Sequence, residues 1–195
     1  ETNITIHDGN TAEILQQLID PDLTGSCDNY LFSPENDAVF FTNNYLNSDK
    51  VLKLYPTNDG DYSIMESSVI SKASAIGKTN EGNILVSGAK KILTMDPETL
   101  DIVNEKEVHT HYTKAALGAN NKVVAIGARS GIVSSYDNDL NETFYKNIGI
   151  NAEEGCINPA NGNYYFISSD IYNKHSSLYI MDENNNLINS IELGP

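Results

Sequence analysis

A chain of 195 residues, 39% of them hydrophobic, is long enough to bury one sizeable core. Its formal net charge of −15 argues against direct binding to the phosphates of nucleic acid or to an anionic membrane surface. The same charge is expected either to keep a β-rich protein in solution or to offer an acidic face to a basic partner.

Residues 1–25 stand apart from the rest of the chain. Ile4-Thr5-Ile6 alternates as a short strand does, and a strand near one terminus is a candidate to complete a sheet at the other. Asp8-Gly9-Asn10 is a turn. Asn10 to Leu18 is predicted as a helix, with Asn10 and Glu13 as a capping box, an apolar face of Ala12, Ile14, Leu15, Leu18 and Ile19, and Pro21 as the stop. That helix either packs on its own domain or binds a partner.

From residue 26 a pattern repeats four times. Each copy opens on an apolar residue (Phe32, Ile76, Leu117, Ile157), passes a polar turn and enters a β-rich run. A second run begins at Leu52, Ile92, Ile132 and Leu178. A third, more polar run begins at Tyr62, Asp101, Glu142 and Leu187. The period is about forty residues, the signature of a propeller whose blades each hold four strands. Runs such as Ala38-Val39-Phe40-Phe41 and Ile84-Leu85-Val86 suit inner strands covered on both faces, and the polar last runs suit outer edges. The expected fold is therefore all-β: four antiparallel blades, spanning about 26–70, 71–111, 112–150 and 151–195, behind a short N-terminal strand and helix. Four blades lie at the lower end of what closes a ring, so a partial or partner-completed ring is expected.

The copies resemble WD40-type repeats. Ser33-Pro34 followed by Ala38-Val39-Phe40-Phe41 is similar to that family's Ser-Pro turn and its following strand. Met95-Asp96, Tyr136-Asp137 and Met181-Asp182 stand where the family has Trp-Asp. The chain has no Trp, no Gly-His pair opens a copy, and the first copy has Tyr55-Pro56 in place of the dipeptide. Asp96-Pro97-Glu98-Thr99 is also similar to the turns of YVTN and quinoprotein propellers. The resemblance implies a non-enzymatic scaffold that binds protein partners, or further blades, within a larger assembly.

The chain has no Gly-x-Ser-x-Gly elbow, no His-Glu-x-x-His motif and no phosphate-cradling loop around Gly88-Ala89-Lys90-Lys91. His109 and His111 have no further ligands spaced nearby, and Arg129 stands alone. No catalytic residue, metal or cofactor is expected. Asp96, Asp137 and Asp182 recur at one position and are read as acceptors of backbone donors in turns. The candidate partner-binding residues lie in two long connections at equivalent places, residues 43–49 and 170–176. They are Asn44, Tyr45, Asn47 and Asp49 in the first, and Tyr172, Asn173, Lys174 and His175 in the second. Loops on a rigid scaffold commonly carry binding, and Tyr gives large contact area at low entropic cost. Cys27 and Cys156 are expected as free thiols of an intracellular protein. The alternative is a secreted or cell-surface propeller, with those cysteines paired, that binds glycan or hydrolyses a small substrate.

Overall fold

A computed structural model describes residues 3–19, 27–43, 49–73, 75–79, 81–108, 114–117, 123–127, 132–147, 152–158, 160–170 and 175–194. They build four four-stranded antiparallel sheets and one two-stranded sheet. The first blade is β3 (Cys27–Ser33), β4 (Ala38–Asn43), β5 (Lys50–Pro56) and β6 (Tyr62–Glu66), which come after β1 (Asn3–His7) and β2 (Ile14–Ile19). The second is β7 (Ala75–Lys78), β8 (Ile84–Gly88), β9 (Lys91–Met95) and β10 (Ile102–Glu107). The third is β11 (Lys114–Leu117), β12 (Val123–Gly127), β13 (Ile132–Tyr136) and β14 (Glu142–Asn147). The fourth is β15 (Ala152–Ile157), β16 (Tyr164–Asp170), β17 (His175–Met181) and β18 (Leu187–Gly194). In each sheet the strands pair in chain order. The first strands β3, β7, β11 and β15 lie against one another in sequence, so they form the inner wall of a propeller arc.

The core lies between blades. Pairing register sorts each blade's side chains onto two faces. In the second blade Ile84 pairs with Met95 and Val86 with Leu93, and these four face the first blade's Ala38, Phe40 and Val51. Leu85 and Ile92 point the other way, onto Tyr136 and Leu140 of the third blade. Val133 then meets Tyr164, Phe166 and Met181 of the fourth. Every residue of β8 is buried, as a strand covered on both faces requires. The fourth strands β10 and β14 are exposed at all but one position each.

The hairpins that join third to fourth strands show why aspartate recurs. Asp96 Oδ1 accepts the backbone N–H groups of Glu98 and Thr99 at 2.8 and 2.9 Å. Asp137 Oδ1 accepts from Asp139 and Asn141 at 3.0 and 2.8 Å, and Asp182 Oδ1 accepts from Asn184 and Asn186 at 2.9 and 2.7 Å. Each turn closes through a residue at positive φ: Leu100, Leu140 and Asn185. Backbone hydrogen bonds absorb the strain that a non-glycine residue bears there.

The N-terminal helix is not formed. Ile14–Ile19 is strand β2, paired antiparallel with β1 from Asn3↔Ile19 to His7↔Ile14. The residues read as a capping box belong to an aspartate turn instead. Asp8 Oδ1 accepts from Asn10 and Thr11, both at 2.8 Å, Thr11 Oγ1 accepts from Glu13, and Ala12 takes φ 59°. A six-residue run of Ile, Leu and Gln is too short for helical spacing to outweigh a ready-made turn and a partner strand. Ile4 to Ile6 is a strand, but its partner is β2 rather than a strand of the last blade.

Candidate functional site

Up-and-down strands send the connections between first and second, and third and fourth, strands to one side of the arc, the turn face. Connections between second and third strands, and those between blades, emerge on the other side, the loop face.

The turn face is stitched across the blades. Lys53, almost wholly buried, runs past the rings of Phe40 and Tyr55 at 5.9 and 5.4 Å and reaches Glu98 of the next blade at 3.1 Å. Asn36 Nδ2 donates to the same carboxylate at 2.7 Å. Lys78 pairs with Glu35 at 2.6 Å. Between the second and third blades Asn138 Nδ2 donates to Glu81 at 3.0 Å. Between the third and fourth, the Ser135 hydroxyl donates to Asn185 Oδ1 at 3.3 Å.

An open cleft of about 690 Å³ lies over the first of these seams, with Glu35, Asn36, Lys78, Glu81, Asn83 and Asp96 among its walls. Two of its carboxylates, Glu35 and Asp96, and Glu98 of the same seam have lowered pKa values. Hydrogen bonding to Lys78 lowers the pKa of Glu35, and backbone donors from Thr99 and Glu98 lower that of Asp96. The Lys53 ammonium lowers that of Glu98. A carboxylate with a lowered pKa is a poor proton donor at neutral pH, so these three groups are poorly suited to general-acid chemistry. Among the described residues, no three His, Cys, Asp or Glu side chains gather in a way that would hold a metal ion.

On the loop face a cavity of about 270 Å³ sits between the first-to-second-blade linker and the turn after β8. Val69, Ile70, Gly88, Lys91, Ile102 and Glu105 are among its walls. Gly88 permits this approach: a Cβ there would stand 2.9 Å from the Ser71 carbonyl oxygen. Lys91 pairs with Glu105 at 3.0 Å. Asp49 is tied into the same linker, accepting from the Ile70 N–H on its carbonyl and from the Lys72 N–H on Oδ1 at 2.8 Å.

Of the residues chosen from sequence, Asn44, Tyr45, Asn47, Tyr172, Asn173 and Lys174 lie outside the described residues, as do His109, His111 and Arg129. His175 opens β17, paired with Asp170. Asp49 has a structural task, anchoring the linker. Sequence reasoning missed Val69, Ile70 and Ile102, whose signal is the apolar Val69-Ile70 pair between two blades. Cys156 is an exposed free thiol.

No protein-family model and no curated protein sequence matches the chain. Solved structures do. Hydrazine synthase from Kuenenia stuttgartiensis matches with a TM-score of 0.76 at 13% identity, over 90% of this chain and 51% of that one. The Pan2 WD40 domain of Neurospora crassa matches at 0.69 and 17%, over 97% and 59%. The Cps50 (Swd1) β-propeller domain of Myceliophteria thermophila matches at 0.73 and 13%, over 97% and 66%. The fold is a β-propeller, with WD40 domains among its neighbours, and the chain spans about half to two thirds of the length of these structures. Enzymes and WD40 domains stand side by side in this set, so the fold alone does not choose between them.

Proposed function

We propose that the chain is the blade-bearing part of a WD40-like, non-enzymatic scaffold that works inside a larger assembly, bound to protein partners and completed by further propeller blades. The observation that carries this reading is the outward face of the fourth blade. Register places Tyr165 opposite Ile180 and Ile167 opposite Leu178, all on the face turned away from the third blade. Ile167 is 42% exposed. Leu178 stands four residues before Asp182, as Ile92 and Val133 stand before Asp96 and Asp137. In the second and third blades that position is wholly buried by the following blade. A face built to this pattern fits another blade.

Partner binding is proposed at the two long connections, through Tyr45, Asn47, Tyr172 and Lys174. The test is a photo-reactive amino acid placed in turn at Tyr45, at Tyr172 and, as control, at Asn138 on the turn face. The reading expects one common protein captured from both tyrosine positions in extract from the native source and not from the control. Capture that is equal at all three positions, or absent at both tyrosines, would contradict it.

A further inference from the structure

We infer that residues 3–19 are the third and fourth strands of a fifth blade, and that the free edge of β1 receives a two-stranded antiparallel segment from outside residues 1–195. This deepens the reading of the arc as incomplete and rests on it, but it draws on different residues.

The hairpin matches a blade's outer half in three independent ways. Its turn repeats that of the second blade bond for bond. Asp8 N–H donates to the Glu13 carbonyl and Asp96 N–H to that of Asp101, both at 2.9 Å. Ala12 and Leu100 N–H groups donate to the carbonyls of Asp8 and Asp96, and Thr11 and Thr99 hydroxyls accept from Glu13 and Asp101. Ala12 and Leu100 share φ 59° and 60°. Its register carries the same irregularity: His7 pairs with Ile14 and Ile6 with Gln16, skipping Leu15. The second blade skips Val103, the third Thr143 and the fourth Ile188, each as the second residue of the outer strand.

Its packing obeys the same rule. Ile4 stands four residues before Asp8, where Ile92 and Val133 stand before their aspartates. Those two residues meet the following blade. Ile4 likewise packs on the Phe41 and Leu52 cluster of the first blade. Gln16 adds two bonds, accepting from the Tyr62 N–H at 2.6 Å and donating to the Tyr62 carbonyl at 3.0 Å. Asn104, at the corresponding place in the second blade, donates to the Asp139 carbonyl of the third.

What such a blade lacks is its inner half. The third strands β5, β9, β13 and β17 each have a strand on both sides, whereas β1 pairs only with β2 among the described residues. The first blade shows the matching gap. Tyr30 and Phe32 lie opposite Phe41 and Val39, on the face that Ile4 covers. They are 74% and 58% exposed. Ile76, which corresponds to Phe32 in the second blade, packs into the core. The occupant is specified by this geometry: a strand antiparallel to β1, backed by a second, with apolar side chains over Tyr30 and Phe32. The longest internal run outside the described residues, 20–26, is shorter than the 75–88 hairpin that does this work in the second blade. The segment therefore comes from outside residues 1–195.

The test builds the missing half from the chain itself. Lys91 and Asn3 both stand five residues before their aspartates, so a copy of residues 75–90 placed directly before Asn3 supplies two strands in register. In the copy, Ile84 and Val86 become Thr, because no further blade covers their face. Hydrogen exchange should slow about tenfold or more at β1 amides pointing away from β2, with a higher thermal midpoint. The same fusion with Leu85→Pro in the copy should lose both effects. Phe32→Ser should lower the midpoint of the fusion more than that of the parent chain. Unchanged β1 exchange and midpoint in the fusion, or equal effects of Phe32→Ser in both proteins, would overturn the inference. The cross-linking result at Tyr45 and Tyr172 does not depend on this outcome, so the two readings fail separately.

Discussion

The second blade and the fourth are built to one plan and differ in what covers them. In the second, Ile84, Val86, Leu93 and Met95 bury themselves on one neighbour and Leu85 and Ile92 on the other. In the fourth, Tyr164, Phe166 and Met181 are buried on the third blade, while Ile167, one residue along from Phe166, is exposed. A blade's stability therefore comes mainly from its neighbours, as expected of a repeat array. The two ends of the arc are where stability is still to be supplied.

The comparison is broken most strongly in the covered seams. Phe40→Ala, at a site with no exposed surface, should cost about 3–5 kcal/mol in urea unfolding. Phe32→Ala, on the open face of the neighbouring strand, should fall within about 0.5 kcal/mol of the parent, as surface changes do. Next in size is Gly88→Val. Its Cβ meets the Ser71 carbonyl at 2.9 Å and the Ile70 side chain at 3.1 Å, so overpacking should cost about 1–3 kcal/mol and loosen the linker to which Asp49 is tied.

Acid acts on the turn face. The carboxyls of Asp8, Glu35, Asp96, Glu98 and Asp137 all have lowered pKa values in the folded protein, chiefly through hydrogen bonds to backbone N–H groups or to lysines. A group with a lowered folded pKa contributes stability above its unfolded pKa and loses it as pH falls through the folded value. The unfolding midpoint should therefore be flat with respect to these groups above about pH 5 and drop below about pH 4. Asp137→Asn should shrink that drop. A small effect is also expected at Lys53, which occupies the position of Ile92 and Val133 and pairs with an exposed glutamate. Lys53→Met should change stability by less than about 1 kcal/mol, because losing the ion pair is offset by no longer desolvating the ammonium.

Much of this fold is legible in the sequence where the signal repeats. Four copies in register specify strands, turns and blade order together, and the recurring Asp96, Asp137 and Asp182 announce their turns. The N-terminal hairpin reads as a helix because it occurs once and because Ile14, Leu15, Leu18 and Ile19 happen to fit helical spacing. The signal is nevertheless present: Asp8-Gly-Asn-Thr-Ala-Glu13 shares the plan of Asp96-Pro-Glu-Thr-Leu-Asp101. The bulges at Leu15 and Val103 are set by cross-strand register, and no local pattern reveals them. The cross-blade pairs Lys53–Glu98 and Lys78–Glu35 join residues far apart in the chain, and only the stacking of blades brings them together.

The central claim, that the arc is open at its end, is tested most directly by two neighbouring substitutions in the 195-residue chain. Phe166 and Ile167 lie on opposite faces of β16, one fully buried and one exposed. Urea unfolding of Phe166→Ala should show a loss of about 3–5 kcal/mol, and that of Ile167→Ala a loss within about 1 kcal/mol. Losses of comparable, large size in the two variants would mean that the outer face of the fourth blade is already covered, and the open-arc account would be wrong.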